Sequence, residues 1–210
     1  MKGTRISISK FKLVEDVLKR SSGIAKTSDF MAAGLARPDL CQLTHNGTLE
    51  RIRHGYYKLA GDTGISEARY ISCLLPEGII CMESALFYYG YSDYTPRVWT
   101  VAVPRSISLR KLKCDILPVK AYYIPKEHYN TGRTTGTFDG VKLPLYDRER
   151  TICDCFKYRT RLDNEIFNKA VNAYIADDQK NLTRLSRYAK EFGIHKKVTS
   201  LMEVLLTSLC

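Results

Sequence analysis

From Phe11 to Leu18 the chain places Phe11, Val14 and Leu18 on one helical face, and Leu13 and Val17 widen that stripe. The spacing predicts an amphipathic helix, stopped at Ser22-Gly23. A second short helix is expected from Thr27 to Ala33. Thr27 or Ser28 can cap it, Asp29 falls in the favourable first turn, and Gly34 ends it. A third begins at Arg37-Pro38-Asp39, with proline at its first position; Leu40 and Leu43 face inward and Asn46-Gly47 closes it. Two short β-prone runs between Leu49 and Leu59 then flank His54-Gly55, which predicts a tight hairpin. Three short helices followed by a basic hairpin are the layout of a winged helix-turn-helix.

Beyond this the pattern changes. Gly61-Asp62-Thr63-Gly64 is the best domain break, and Ser66 can cap a helix running to about Leu75. The apolar run Ile79 to Met82 precedes a short helix, Ser84 to Tyr89, closed by Gly90. Val98 to Val103 reads as a strand between Pro96 and Pro104, and Ile116 to Ile124 as another, with Pro118 marking an edge or bulge. Arg105 to Lys113 is a basic loop holding Arg110 and Lys111. Phe138-Asp139-Gly140-Val141 signals a hairpin. Helices follow over 148–158, 163–176, 181–192 and about 197–209. On the third of these, Leu182, Leu185, Tyr188 and Phe192 form the expected buried side; on the last, Val198, Leu201, Met202, Leu205 and Leu209 form an apolar seam. The expected fold is α+β: a winged helix-turn-helix over residues 1–60, then a mixed α/β domain over 65–210 with a helical C-terminal portion.

Charge sharpens the picture. The net charge is +11, and residues 1–60 hold eleven Lys and Arg against five Asp and Glu, an excess of six. A basic surface suits a polyanion. The seven cysteines are irregularly spaced, and the N-terminus lacks the apolar segment of a signal peptide, so reduced thiols and a cytoplasmic location are expected. The most apolar stretch, Ile71 to Tyr91, is broken by Pro76, Glu77, Gly78 and Glu83, so no membrane helix is expected.

The DNA-facing candidates follow from this layout. Arg37, Gln42, Thr44 and His45 are the polar positions of the third helix, which fits the major groove; Gln pairs with adenine and Arg with guanine there. Lys26, Thr27 and Ser28 open the second helix and are set for phosphate. Arg51, Arg53, His54 and Lys58 of the hairpin can reach the flanking backbone. In the C-terminal third, Arg184, Arg187 and Lys190 recur at near-helical spacing and could meet an acidic partner or RNA, or be an ordinary solvated face. Arg150 and Asp154 stand at i, i+4, the spacing of a structural ion pair. No phosphate-binding loop, no HExxH and no paired CxxC occurs, and Cys153-Asp154-Cys155 has poor zinc spacing, so no cofactor, metal site or catalytic residue is expected. A nuclease-type enzyme built on Asp147 and Asp154, in the cluster with Glu149, is the minor alternative; a winged helix that binds protein rather than DNA is the other.

Several motifs resemble the AbiEi family of bacterial antitoxins, the regulators of type IV toxin–antitoxin (abortive infection) operons. In the N-terminal segment these are Ala33-Gly34-Leu35-Ala36 and the run from Asn46 to Leu59, including Arg51-Ile52-Arg53-His54-Gly55-Tyr56-Tyr57. In the body they are Ser84-Ala85-Leu86-Phe87-Tyr88-Tyr89-Gly90, then 96–104, then Asp147-Arg148-Glu149-Arg150-Thr151-Ile152-Cys153-Asp154. Tyr89 stands where the family often has His. The resemblance implies two activities: the N-terminal domain binds repeats in its own promoter as an autorepressor, and the C-terminal domain counteracts a nucleotidyltransferase toxin.

Overall fold

The computed structural model describes residues 8–108 and 116–207. Arg110, Lys111 and Lys113 of the basic loop, Leu209 and the side chain of Leu205 lie outside what is described. The chain is mixed α+β with two sheets, and it divides into two compact units. One ends at Pro76 and takes in Leu117; the other begins at Glu77.

In the first unit, α1 (Ile8–Arg20) is followed by β1 (Ala25–Lys26), α2 (Thr27–Ala32), α3 (Arg37–His45), β2 (Leu49–Arg53), β3 (Tyr56–Leu59) and α4 (Glu67–Leu74). Its core joins Val14, Val17 and Leu18 of α1 to Phe30, Leu35, Leu40, Leu43 and Leu49. The buried stripe of α1 starts at Val14: Phe11 is 39% exposed and Leu13 is exposed as well, against the expectation that both face inward. The strands form an antiparallel sheet in the order β1-β3-β2, and Gly55, at φ +79°, turns the chain between β2 and β3. That third strand, β1, has only two residues, too few for any alternation to show in the sequence. The helix capped by Ser66, whose Oγ accepts from Arg69 N at 3.3 Å, packs with this unit rather than opening the second. Arg69 donates to the carbonyls of Ser21 and Ser22 at the end of α1, and Arg53 Nη1 donates to Leu74 O at 2.9 Å. These bonds carry the compact unit past the Gly61–Gly64 break to Pro76.

The second unit contains β4 (Ile79–Ile80), α5 (Met82–Tyr88), β5 (Trp99–Pro104), β6 (Val119–Ile124), α6 (Lys126–Tyr129), β7 (Arg133–Phe138) and β8 (Val141–Tyr146). Then come α7 (Arg148–Lys157), a 3₁₀ turn at Arg159–Arg161, α8 (Asn164–Ala176), α9 (Leu182–Glu191) and α10 (His195–Thr207). The sheet runs β6-β5-β4-β8-β7, parallel at β5/β6 and β4/β8 and antiparallel elsewhere. Asp139 and Gly140, both at positive φ, make the two-residue turn between β7 and β8. Pro118 precedes an edge strand, as its missing N–H requires. The helix expected from Ser84 begins two residues earlier, at Met82. The reason is tertiary: Ser84 N donates to Thr100 Oγ1 and Thr100 N to Ser84 Oγ, each at 2.9 Å, so a strand side chain satisfies the helix start. The core gathers Ile79, Met82 and Leu86, Tyr146 and Ile152, Val171 and Tyr174, and Leu185. Leu182, expected on the buried side of α9, is exposed. Among the described residues no helix is long and apolar enough to cross a membrane.

Candidate nucleic-acid interface

The third helix sets the site. Leu40 and Leu43 fix its inward side, each about 1% exposed. At 100° per residue, Arg37, Cys41 and His45 form a row on the opposite face, with Pro38 and Gln42 beside it. Arg37, Pro38, Cys41 and His45 are exposed and Gln42 is half-buried. Thr44 lies on the flank, and its hydroxyl is turned inward to Leu40 O at 2.8 Å. Asp39 holds the start of the helix: Oδ2 accepts Ala36 N at 2.9 Å, and Oδ1 takes Lys10 Nζ at 2.6 Å. The Lys10 hydrogen bond, ahead of that from Ala36, keeps the Asp39 carboxyl below its usual range. Cys41 is missed by a reading that looks for polar side chains, yet it stands mid-row between Arg37 and His45.

The second helix and the hairpin lie beside each other. Thr27 N donates to Gly55 O at 2.9 Å, tying the first residue of α2 to the hairpin turn. Lys26 and Ser28 are exposed there, and Asp29 Oδ2 accepts Lys26 N at 2.8 Å, so this helix start is satisfied from within. At the hairpin tip Arg51 and His54 are exposed and within 3.1 Å of each other. Arg53 is half-buried, with Nη1 anchored on Leu74 O.

Lys58 departs from the expected set. Only 8% exposed, it gives its ammonium to Asp62 O at 2.9 Å and Glu50 Oε2 at 3.1 Å. Burial lowers its pKa, but the Glu50 hydrogen bond and nearby Tyr70 outweigh this and it ends raised, so the charge stays and is used inside the fold. Lys58 therefore braces the hairpin against the following loop and does not face a phosphate. The sequence hides this because Lys58 alternates with Tyr57 as a solvent-facing strand residue would.

In the second unit the candidate carboxylates are all engaged. Asp147 Oδ1 accepts Arg150 N at 2.8 Å and Oδ2 accepts Tyr188 OH at 3.0 Å; burial, only partly countered by these bonds, raises its pKa. Glu149, 2% exposed, accepts Asn181 N at 2.9 Å and Tyr174 OH at 3.3 Å. Arg150 Nε lies 3.0 Å from both oxygens of Asp154, and both residues are buried. Arg150 Nη1 also reaches His128 O at 2.7 Å and Thr131 O at 2.9 Å, and the guanidinium sits between the rings of Tyr146 and Phe192. This set fastens α7 to its surroundings; among the described residues no group of three His, Cys, Asp or Glu is placed to hold a metal. Arg184, Arg187 and Lys190 are all exposed on α9, and Arg184 leans toward Glu149 Oε2 at 3.4 Å and Asp147 Oδ2 at 3.9 Å. Tyr89 donates to Tyr146 O at 2.8 Å and carries Arg148 over its ring at 4.8 Å.

Among solved structures, the crystal structure of the RV2827C protein from Mycobacterium tuberculosis is similar, with a TM-score of 0.64 over 90% of this chain and 73% of that one, at 18% identity. That likeness is one of fold. None of the curated proteins matches the chain. Residues 12–60, which hold the three short helices and the hairpin, match the family described as transcriptional regulator, AbiEi antitoxin, in agreement with the motifs at 33–36 and 46–59.

Proposed function

We propose that the protein is a cytoplasmic DNA-binding transcriptional regulator, and that its first unit acts as a winged helix-turn-helix repressing its own operon. The observation that carries this reading is the exposed face of α3. Its inward side is fixed by Leu40 and Leu43, while Arg37, Gln42 and His45 point away from the core beside a hairpin that presents Arg51 and His54. A short helix so mounted fits a major groove, and the hairpin then meets the adjoining backbone. Arg37 and Gln42 are the base-reading candidates; Lys26, Thr27, Ser28, Arg51 and His54 are the phosphate candidates. DNA contact is assigned to the first unit, and the second unit, which begins at Glu77, is assigned the antitoxin activity against a nucleotidyltransferase that the family resemblance implies. Arg184, Arg187 and Lys190 of α9 are the surface of that second unit offered to an acidic partner.

The test is fluorescence anisotropy of the full chain on a duplex from just upstream of its gene, against a scrambled duplex, over a salt series. Selective, salt-sensitive binding is expected, with Gln42→Ala reducing the preference and Arg51→Ala reducing affinity for both duplexes. Equal, weak binding to both would refute the regulator reading. Antitoxin action is tested by co-expression with the neighbouring toxin: Gln42→Ala should lose selectivity for DNA and still protect the cells.

A further inference from the structure

Several cations of the second unit are held by carboxylates. Arg148 reaches Asp177 and Lys120 reaches Glu83, each at 2.9 Å, while Arg150 lies on Asp154 and Lys169 on Asp93. The corner where α9 passes into α10 differs. Arg187 and Lys190 are exposed on α9, and Lys196 and Lys197 are exposed in the first turn of α10. Among the described residues no carboxylate pairs with any of these four. Glu191, the acidic residue nearest to them in sequence, is engaged elsewhere: it accepts Thr131 Oγ1 at 2.7 Å and lies 3.3 Å from His128 Nδ1. Like charges gathered in this way repel one another, and a polyanion relieves that repulsion.

The α9 cations border a cleft. Leu182, Thr183, Ser186, Arg187 and Lys190 line an open cleft of about 530 Å³ along the helix. Ser186 is half-buried, and its hydroxyl lies 3.2 Å from Nε2 of His195, the first residue of α10. Cations and hydroxyls on one cleft suit a sugar–phosphate backbone. A protein is served less well: among the described residues Leu182 is the one apolar side chain lining the cleft, whereas protein interfaces centre on apolar and aromatic side chains. Between the two nucleic acids the hydroxyls decide. Double-stranded RNA displays its 2′-hydroxyls across a wide, shallow minor groove flanked by phosphates, and a 2′-hydroxyl donates and accepts as Ser and Thr do. DNA lacks that group.

We propose that the α9 cleft binds double-stranded RNA, with Arg187 and Lys190 on phosphates, Thr183 and Ser186 on 2′-hydroxyls, and His195 holding the Ser186 hydroxyl in place. This rests on the reading of α9 as the surface offered to an acidic partner, and it names that partner. Lys196 and Lys197 add attraction without sequence preference. The protein then carries two nucleic-acid faces of different kinds, α3 for DNA and α9 for RNA, and each can be removed without the other.

The test is fluorescence anisotropy of the full chain on an RNA hairpin with a stem of about 16 base pairs, against the DNA hairpin of the same sequence. The RNA should bind more tightly. Arg187→Glu combined with Lys190→Glu should cost roughly tenfold or more on the RNA and leave affinity for the upstream DNA duplex unchanged, with circular dichroism confirming the fold. Arg187→Ala and Lys190→Ala should each lower the slope of log RNA affinity against log salt by about one. Thr183→Val and Ser186→Ala should narrow the preference for RNA over DNA and keep that slope. Equal affinity for the two hairpins, lost together in the double variant, would overturn the inference and mark a general polyanion surface. RNA affinity unchanged in the double variant would overturn it as well, and co-expression with the neighbouring toxin then separates the two readings. If the double variant no longer protects the cells, the cleft serves an acidic protein and the acidic-partner reading stands; if it protects them fully, that reading falls too.

Discussion

At the scale of single residues, Arg150 concentrates more of the second unit's organisation than any other side chain described. It is a fully buried cation with a carboxylate partner, two backbone carbonyls and two aromatic faces. The carbonyls belong to His128 and Thr131, so the guanidinium fixes the chain between α6 and β7 from beneath. Gly132 completes the arrangement: its φ is +75°, and a Cβ there would stand 2.5 Å from Arg150 Cβ. Removing one member of a buried ion pair strands the other without its counter-charge, at a cost of about 3–5 kcal/mol. Arg150→Met is expected to lower unfolding free energy by about that amount, read from the denaturant midpoint at unchanged m-value. Arg150→Met combined with Asp154→Leu should cost less than the sum of the two single changes, because neither charge is then left alone. A sum that simply adds would mean the pair is not coupled.

At the scale of elements, the hairpin separates two kinds of cation that look alike in sequence. Arg51 is exposed at its tip and Lys58 is enclosed by Asp62 and Glu50. Arg51→Ala should flatten the salt dependence of DNA binding and leave thermal stability nearly unchanged. Lys58→Met should do the reverse, lowering stability by about 1–2 kcal/mol with the salt slope intact, since it leaves the Asp62 carbonyl unpaired. If both variants altered the slope equally, the burial of Lys58 would not matter to function. The same contrast explains what the sequence reveals. Helical periodicity, Pro38 at a helix start and glycines at positive-φ turns are local signals, and the first three helices and both hairpins follow from them. Two-residue strands such as β1 and β4 carry no periodicity, and the early start of α5 depends on Thr100, sixteen positions from Ser84. The row on α3 was legible as polar positions, but its centre, Cys41, was not. The inward turn of Arg53 and Lys58 depends on α4 and the loop before it, which composition does not locate.

At the scale of the whole molecule, the two units have separate cores, one centred on Phe30, Leu40 and Leu43, the other on Ile152, Val171 and Tyr174. Leu40→Ala, which removes about 2–5 kcal/mol from the first, should raise amide hydrogen exchange across α1 to α3 while α7 and α8 keep their protection. Uniform loss of protection would show that the cores unfold together. The second sheet ends at β7, an outermost strand whose free polar groups invite another chain to pair with it. Here Thr137 N–H is donated to Tyr88 OH at 3.3 Å, and the Tyr88 ring stacks against Phe138. One hydroxyl from a helix thus stands guard on a sheet edge. A partly exposed tyrosine, which looks like an invitation to association, instead occupies an N–H that an added strand would use. Tyr88→Phe, which deletes only that oxygen, should leave the fold and DNA affinity intact and shift sedimentation toward aggregates that grow with protein concentration.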